Sequence, residues 1–255
     1  MPVLRLFSIR TLVSSFLVVI FASHCALPSS AAGGSLKPGE CWLMHMSSNF
    51  LGNVTFSLGN TATSVFMEKM GIEAFGDDKV NQILILNHRD KTYLQEPRTE
   101  WRKRAAKYQA KAKKDSLYKG FKVSKGKKAK IAGLNCTGYD VNPVRKDGTV
   151  DLVNQKKQLW VTEELDSNKG VARQFAMEIL RVFAQLEELP VTAGVLVRLK
   201  ADKGRKMVTM LDTYKVEKGK KTVELKVPKG YHRVKDEVAL LWGDDSSTGD
   251  MFGAP

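Results

Sequence analysis

Apolar and polar residues alternate along many short segments of this sequence, and this period of two constrains the fold more than any other feature. Trp42, Met44 and Met46 share one side of the first such segment, and Val54 and Phe56 share one side of the next. Successive side chains of a β-strand point to opposite faces, so the alternation predicts strands with one buried and one wet face. The chain is therefore expected to be built mainly on a β-sheet.

Alternation, together with a continuous apolar run at 83–86 that predicts a strand buried on both faces, places strands along most of the chain. We expect them at 41–46, 54–58, 64–68, 72–75, 83–86, 92–94, 129–133, 135–141, 158–162, 195–199, 207–214 and 223–227. Asp147-Gly148 predicts a hairpin tip, and Lys218-Gly219 predicts the turn between the last two strands. We expect these twelve segments to form a sheet of roughly eight to eleven strands, which must curl or close to cover its apolar face.

Two segments interrupt the strands with the period of a helix. Trp101, Ala105 and Tyr108 begin one apolar stripe, which predicts a surface helix over 99–119. A second, broader apolar stripe lies within 172–186 and ends before a proline. The predicted fold class is α+β: a curved antiparallel β-sheet, shaped as a half-barrel, with two inserted helices.

The positive charge is concentrated in one segment. The whole chain has 41 Lys and Arg against 27 Asp and Glu, a net charge of +14. Residues 101–130 hold 13 of the basic residues and one acid, Asp115, while the chain beyond residue 32 is otherwise electrically balanced. This excludes a chain that is basic throughout, as a histone-like protein would be.

Seven basic residues of the first predicted helix are candidates for contact with an anionic surface. They are Arg102, Lys103, Arg104, Lys107, Lys111, Lys113 and Lys114. Three interpretations stay open: contact with an anionic membrane or envelope polymer, contact with nucleic acid, or a solvated face that aids solubility. Near an anionic membrane each Lys or Arg contributes about 1 kcal/mol. Trp101 and Tyr108 would then dip into the membrane interface.

The N-terminus has the layout of a secretory signal. Arg5 and Arg10 precede an apolar run over 11–22, which is too short to span a bilayer. Small residues ending at Ala32 predict cleavage there, so residues up to that point are predicted to be a signal peptide and the mature protein to be exported, periplasmic or secreted. Lipid attachment at Cys25 is a variant of this interpretation. Export also removes nucleic acid from the expected partners.

Export also changes how the cysteines are interpreted. Once Cys25 is removed, Cys41 and Cys136 remain, and such a pair in an oxidising compartment indicates a disulfide. The bond would close a loop of about 95 residues and stabilise the fold by at most about 4–5 kcal/mol. Two buried thiols are the alternative. No Cys or His spacing indicates a metal, so no metal or other cofactor is expected.

Three motifs occur in a characteristic order between Cys41 and Tyr231. An Ile-Ala-Gly turn is followed by Cys136 and Tyr139, the strand of Trp160 is followed by Glu-Glu-Leu, and a Val-Pro-Lys-Gly-Tyr strand end closes the series at Tyr231. Together they resemble a family of uncharacterised secreted bacterial domains. That family is similar in fold to the periplasmic lipoprotein carriers LolA and LolB, which hold acyl chains inside a curved sheet capped by helices. The resemblance implies a LolA-like fold.

The domain organisation follows from these patterns. We expect a single LolA-like domain over 33–242, preceded by the signal peptide over 1–32. The small, polar tail over 243–255 is expected to be disordered. A monomer is expected.

No motif indicates an enzyme. The sequence has no zinc-protease, nucleophile-elbow or phosphate-loop motif. His45, His88 and His232 lie near predicted strands or turns, and nothing in the sequence connects them. The chain is therefore expected to be non-catalytic.

The apolar faces of the predicted strands are the candidates for ligand binding. They carry Trp42, Met44, Met46, Val54, Phe56, Ile83, Ile85, Trp160, Val195 and Val197. Methionine adapts to irregular ligands, so these faces suit a lipid or other apolar ligand. An ordinary filled core is the alternative. The sequence thus predicts an exported binding protein that carries an apolar ligand and docks on an anionic envelope surface, or else an envelope scaffold with a filled core and a basic contact face.

Overall fold

A computed structural model of the chain describes twelve strands and three short helical segments. The described residues are 36–77, 80–104, 106, 118–150, 156–165, 174–175, 178–179, 194–202, 206–220 and 225–242. The predicted signal peptide, Cys25 and the predicted tail lie outside them. No helix within these ranges is long and apolar enough to cross a bilayer.

The strands follow one another through most of the chain. They are β1 (Glu40–Ser48), β2 (Gly52–Gly59), β3 (Ala62–Met67), β4 (Ile72–Asp77), β5 (Gln82–Asn87), β6 (Thr92–Pro97), β7 (Tyr118–Ile131), β8 (Leu134–Arg145), β9 (Lys157–Thr162), β10 (Val195–Asp202), β11 (Met207–Lys220) and β12 (His232–Arg233). Residues 98–104 are helical (α1), as are 174–175 and 178–179 (α2). A third helix, α3 (Glu237–Trp242), follows β12.

All twelve strands form one sheet in the order β12-β6-β5-β4-β3-β2-β1-β11-β10-β9-β8-β7. The predicted antiparallel sheet is confirmed, and only β12 pairs in parallel, with β6. β7 and β12 are the two edges, so the sheet is open among the described residues. The strand count exceeds the sequence estimate because β12 is too short, at two residues, to show a period of two.

One face of the sheet carries the main hydrophobic core. Cross-strand pairs such as Met44 with Phe56 and Met46 with Val54 place the alternating apolar residues of neighbouring strands side by side. Trp101 of α1 and Phe175 of α2 belong to the same core. Both helices therefore cover this inner face.

The outer face has a smaller apolar cluster at the β4–β6 end. Phe75, Leu84 and Leu86 form it, and residues from the 225–231 segment pack against it, among them Tyr231. Leu225 and Val227 lie outside any strand, so the strand predicted over 223–227 is wrong for its described part. The alternation of Leu225 and Val227, which the sequence analysis interpreted as a strand, places both side chains against the apolar cluster on the outer face.

The first predicted helix overlaps the start of β7. The predicted segment reaches 119, but β7 begins at Tyr118; residues 107–117 lie outside the described part of the chain. Trp101 is fully buried in the core, so the prediction that it dips into a membrane interface is wrong. Tyr108 is among the residues not described.

The turn predicted at Lys218-Gly219 is also wrong. Both residues lie within β11, where they pair with Trp42 and Cys41 of β1. A Cβ on Gly219 would lie 2.5 Å from Leu43 Cδ1. The glycine therefore serves close packing within the sheet. The hairpin tip at Asp147-Gly148 is confirmed, with Gly148 at φ +94°.

The predicted disulfide between Cys41 and Cys136 is wrong: no bond joins these two buried residues. Cys41 lies on β1 and Cys136 on β8, and β11, β10 and β9 lie between them in the sheet. Four strand spacings amount to about 19 Å along a sheet, whereas a disulfide needs its Cα atoms within about 7 Å.

Candidate functional site

The structure gathers nine of the ten predicted ligand-binding residues into the main core. Trp42, Met44, Met46, Val54, Phe56, Ile83, Ile85, Val195 and Val197 are each at most 1% exposed. They pack against one another across neighbouring strands, as the side chains of a filled core do.

Trp160 is the exception. Its neighbours Leu159 and Val161 are buried in the core, whereas the indole packs against the margin of that core. There it is half-buried, and Lys200 Nζ lies 5.5 Å from its ring centroid. The sequence had given Trp160 the role of an inner-face residue, but its neighbours take that role.

The described basic residues of α1 have carboxylate partners within the chain. Arg102 Nε lies 2.7 Å from Glu178 Oε1, and Lys103 Nζ lies 2.8 Å from Glu100 Oε1. Arg104 pairs with Glu96 and Glu237, its Nε lying 2.8 Å from Glu237 Oε2.

These pairs give α1 a structural role. The hydrogen bond to Glu96, followed by that to Glu237, raises the pKa of Arg104 above its ordinary value. Arg98, which is buried, donates through Nε to the same Glu178 at 3.0 Å. Lys107, Lys111, Lys113 and Lys114 lie outside the described residues, so their proposed contact with an anionic surface stays a prediction.

The unneutralised basic surface lies instead on β7. Its 14 residues carry six lysines and no acid: Lys119, Lys122, Lys125, Lys127, Lys128 and Lys130. All six are exposed, and none lies within ion-pair distance of a carboxylate in the part of the chain that the structure describes, although Lys119 interacts electrostatically with Asp147 of the hairpin tip. We call these six residues the lysine edge, because β7 is an edge strand that pairs only with β8.

Sequence reasoning missed most of this edge, because it predicted a helix up to 119, a strand only from 129, and no element between them. A strand signal was present in Phe121 and Val123, which are two residues apart and pair with Pro143 and Val141 of β8. Lys122 between them and the lysines on either side hid the alternation, because Lys occurs on both faces of β7.

A cleft of about 540 Å³ opens beside the lysine edge, at the end of β7, β8 and β9. It is lined by Lys128, Ala129, Lys130, Asn135, Cys136, Thr137, Tyr139, Val161, Glu163 and Glu164. We call it the β8 cleft. None of the predicted ligand-binding residues lines it, and a second cleft, of about 340 Å³ between β6 and β12, contains none of them either.

Cys136 is the one thiol of the β8 cleft. Burial raises its pKa to about 11, so it stays protonated at neutral pH. Its Sγ donates to the Leu134 carbonyl oxygen at 3.5 Å. A protonated, buried thiol is a poor nucleophile and a poor metal ligand. Cys136 therefore contributes packing to the cleft wall.

Two histidines, which the sequence left unconnected, each lie between a hydroxyl and a carboxylate on the outer face. His45 lies 3.3 Å from Thr55 Oγ1 through Nδ1 and 3.2 Å from Glu217 Oε1 through Nε2. A hydrogen bond from Lys215, followed by that of His45, lowers the pKa of Glu217. The three side chains come from β2, β1 and β11, so the cluster ties three adjacent strands together.

The second histidine cluster joins the sheet to the segment over its outer face. His88 Nδ1 lies 2.8 Å from Tyr231 Oη, and His88 Nε2 lies 3.1 Å from Glu73 Oε2. A neutral imidazole that donates to Glu73 accepts from the Tyr231 hydroxyl, so both bonds form with one tautomer. Neither cluster adjoins either of the two clefts, and both fit a structural role.

Comparison with known proteins adds little to this picture. No model of a known protein family matches the chain, and no curated protein matches it. Among solved structures, the chain is similar to an uncharacterized conserved protein from Thermus thermophilus, with 7% sequence identity and a TM-score of 0.40. The match covers 76% of this chain and 89% of that chain.

Proposed function

We propose that this chain is an exported, non-catalytic contact protein that docks on anionic membrane surfaces through its lysine edge. The observation that carries the proposal is the row of six exposed lysines on β7, none of them in an ion pair among the described residues. By contrast, Arg102, Lys103 and Arg104 are engaged in ion pairs.

The geometry of β7 suits a flat anionic surface. A strand rises about 3.3 Å per residue, so 14 residues extend over roughly 45 Å. Each lysine near an anionic membrane contributes about 1 kcal/mol, and salt screens this attraction over about 8–10 Å. Docking is therefore expected to be reversible and to weaken steeply with ionic strength.

The filled core supports a contact protein over a carrier. The nine predicted ligand-binding residues on the inner face pack against one another and are at most 1% exposed. A carrier needs a concave apolar cavity of about 300–1,000 Å³ for its ligand. The β8 cleft has that size, but four of its ten lining residues are charged, unlike the wall of an apolar pocket.

We also propose that the sheet curves into a LolA-like half-barrel. Twelve strands in one sheet, with α1 and α2 contributing to a single inner core, support this shape. Open sheets of more than about ten strands rarely stay uncurled. A crystal structure of the mature protein with a flat sheet would contradict the proposal.

Vesicle sedimentation tests the docking function. We expect the mature protein to bind vesicles of phosphatidylcholine with phosphatidylglycerol and not vesicles of phosphatidylcholine alone. Replacing Lys122, Lys125 and Lys127 together with Gln should weaken binding at least tenfold, since each lysine contributes about 1 kcal/mol.

A second triple variant removes the same charge elsewhere. Lys226, Lys229 and Lys235 are exposed and lie beside β12, at the opposite edge of the sheet. Their replacement with Gln should leave binding nearly unchanged. Equal loss in both variants would show a general charge effect and overturn the proposal. Binding to immobilised polyglutamate without binding to anionic vesicles would show an acidic polymer as the partner and would also overturn it.

A separate measurement tests the carrier hypothesis. Native mass spectrometry of the purified mature protein should show the mass of the protein alone, also after incubation with phospholipid. Co-purified lipid held in a stoichiometric complex would contradict a filled core and restore the carrier hypothesis.

A further inference from the structure

The β8 cleft brings opposite charges to its two sides. Lys128 and Lys130 reach it from β7, and Glu163 and Glu164 reach it from the residues that follow β9. β8 lies between these strands, so the two sides stand about two strand spacings apart, or roughly 9–10 Å.

Strand pairing aligns these groups in rows. Lys128 pairs with Thr137, which in turn pairs with Val161, and Lys130 pairs with Asn135. Cross-strand partners lie side by side on one face of a sheet. Each lysine therefore has a polar β8 side chain next to it inside the cleft.

One acidic side chain is held in place by β8. Glu164 Oε1 accepts from the Asn135 backbone N–H at 3.1 Å and from Asn135 Nδ2 at 2.6 Å. These bonds keep its carboxylate on the β9 side. Among the described residues, neither Lys128 nor Lys130 forms an ion pair with Glu163 or Glu164, although all four line the same cleft.

We propose that the β8 cleft binds a small zwitterion in which a primary amine is joined by a short chain to a phosphate. Opposite charges held apart across a cleft match a ligand that carries both charges. The amine would contact Glu163 and Glu164, and the phosphate would contact Lys128 and Lys130. Two lysines suit a phosphate better than a carboxylate, because a phosphate monoester carries nearly two negative charges at neutral pH.

Hydroxyl donors complete the phosphate side. Thr137 and Tyr139 lie on β8 between the charged walls and line the cleft. A hydroxyl donates one hydrogen bond to a phosphate oxygen, and a charge-assisted bond of this kind is stronger than a neutral one. The cleft, at about 540 Å³, admits a phosphoethanolamine group with further atoms attached. Such a group occurs free and as a lipid headgroup.

The inference shares Lys128 and Lys130 with the lysine edge but goes beyond docking. It concerns a net-neutral or singly charged ligand held by both signs of charge, whereas docking needs positive charge alone.

Calorimetric titration of the mature protein with phosphoethanolamine tests the inference. We expect saturable binding at one site, at least tenfold tighter than binding of inorganic phosphate or of ethanolamine. Lys130→Gln and Glu163→Gln should each weaken binding at least fivefold. Lys229→Gln, an exposed residue outside both the cleft and the lysine edge, should leave it unchanged.

Both altered side chains are exposed, so the variants are expected to fold, and thermal melting checks this. Phosphate binding as tightly as phosphoethanolamine, or no effect of Glu163→Gln, would overturn the inference. Absence of binding to either phosphoethanolamine or its lipid form would do so as well.

Vesicles separate the two sources of the ligand. Phosphatidylethanolamine and phosphatidylcholine are both net neutral, so the lysine edge does not distinguish them. Binding that appears only with phosphatidylethanolamine and is lost in Glu163→Gln would identify the lipid headgroup. Binding of soluble phosphoethanolamine without vesicle binding would identify the free compound.

Discussion

Gly76 on β4 shows how single residues position the helices over the sheet. A Cβ at this position would lie 2.4 Å from two ring carbons of Phe175 in α2. The glycine thus leaves the space that the aromatic ring fills, and Phe175 is 1% exposed.

Replacing Gly76 with Ala should destabilise the protein by about 1–3 kcal/mol, because overpacking forces a shift of ring or backbone. Urea denaturation measures the change. Gly120→Ala is the matched control, since no atom lies within 4 Å of a Cβ there, and it should change stability by less than about 0.5 kcal/mol. Equal effects of the two substitutions would contradict the packing of Phe175 on Gly76.

Local pattern reveals which residues are buried, and here it did so for nine of the ten inner-face residues. It does not reveal their partners, because these come from distant parts of the chain. Tyr231 and His88 are 143 residues apart, and Arg104 and Glu237 are 133 residues apart. Their contacts are set by the order of the strands, which no local period encodes.

At the scale of elements, Arg104 fastens α1 to β6 and α3. Its guanidinium contacts Glu96 at the end of β6 and Glu237 at the start of α3, whose side chain is 9% exposed. Replacing Arg104 with Met would leave two poorly solvated carboxylates without a cation.

Arg104→Met should therefore cost about 2–3 kcal/mol of stability, somewhat less than for a fully buried pair. Lys103→Met is the neighbouring control. Its side chain is 74% exposed and pairs with Glu100 on the surface, so the loss should stay below about 0.5 kcal/mol. Thermal melting compares the two, and a similar shift in both would show that Arg104 acts only through net charge.

The segment over 225–234 is a second element that depends on few contacts. It packs on the outer face through Leu225, Val227 and Tyr231, and the Val234 backbone N–H donates to the Tyr93 carbonyl at 2.9 Å. The hydroxyl of Tyr231 adds the bond to His88.

Tyr231→Phe keeps the ring and removes this bond, which should cost about 0.5–1.5 kcal/mol. Hydrogen exchange read by mass spectrometry should show faster exchange confined to 225–234. Tyr214→Phe, at an exposed tyrosine of β11, is the control and should leave exchange unchanged. Unaltered exchange in Tyr231→Phe would mean that apolar packing alone holds the segment.

Most of the elements predicted correctly have residues that alternate clearly, and β5 was predicted from its continuous apolar run. β7 and β11 differ from prediction for a physical reason: their partners decide their length. β8 supplies pairing along β7 from Tyr118 to Ile131, and β1 supplies it along β11 through Lys218 and Gly219. Strand preference depends strongly on such context, so a lysine-rich or glycine-containing segment becomes a strand where a partner is present.

The sheet consists of two runs of strands that meet where β1 pairs with β11. β1 to β6 lie on one side of this boundary with β12, and β11 to β7 lie on the other. Among the described residues, β1 and β11 are the strands that hydrogen-bond across it, in nine pairs from Glu40 with Lys220 to Ser48 with Leu211. Because the core is continuous across this boundary, the two runs are expected to unfold together.

Leu211 lies where β11 is paired on both sides, with Ser48 of β1 and Leu199 of β10. A proline at this position has no N–H to donate, so it removes a hydrogen bond from β11 to one of its two neighbours, at a cost of about 3 kcal/mol or more. Leu211→Pro should therefore lower the urea concentration at which β5 and β9 lose their hydrogen-exchange protection, and by the same amount for both. Leu211→Met keeps the backbone bond and nearly the same volume, so it should cost less than about 1.5 kcal/mol. If β9 lost protection in Leu211→Pro while β5 kept it, the two runs would be separate folding units, and the continuous inner core would not couple them.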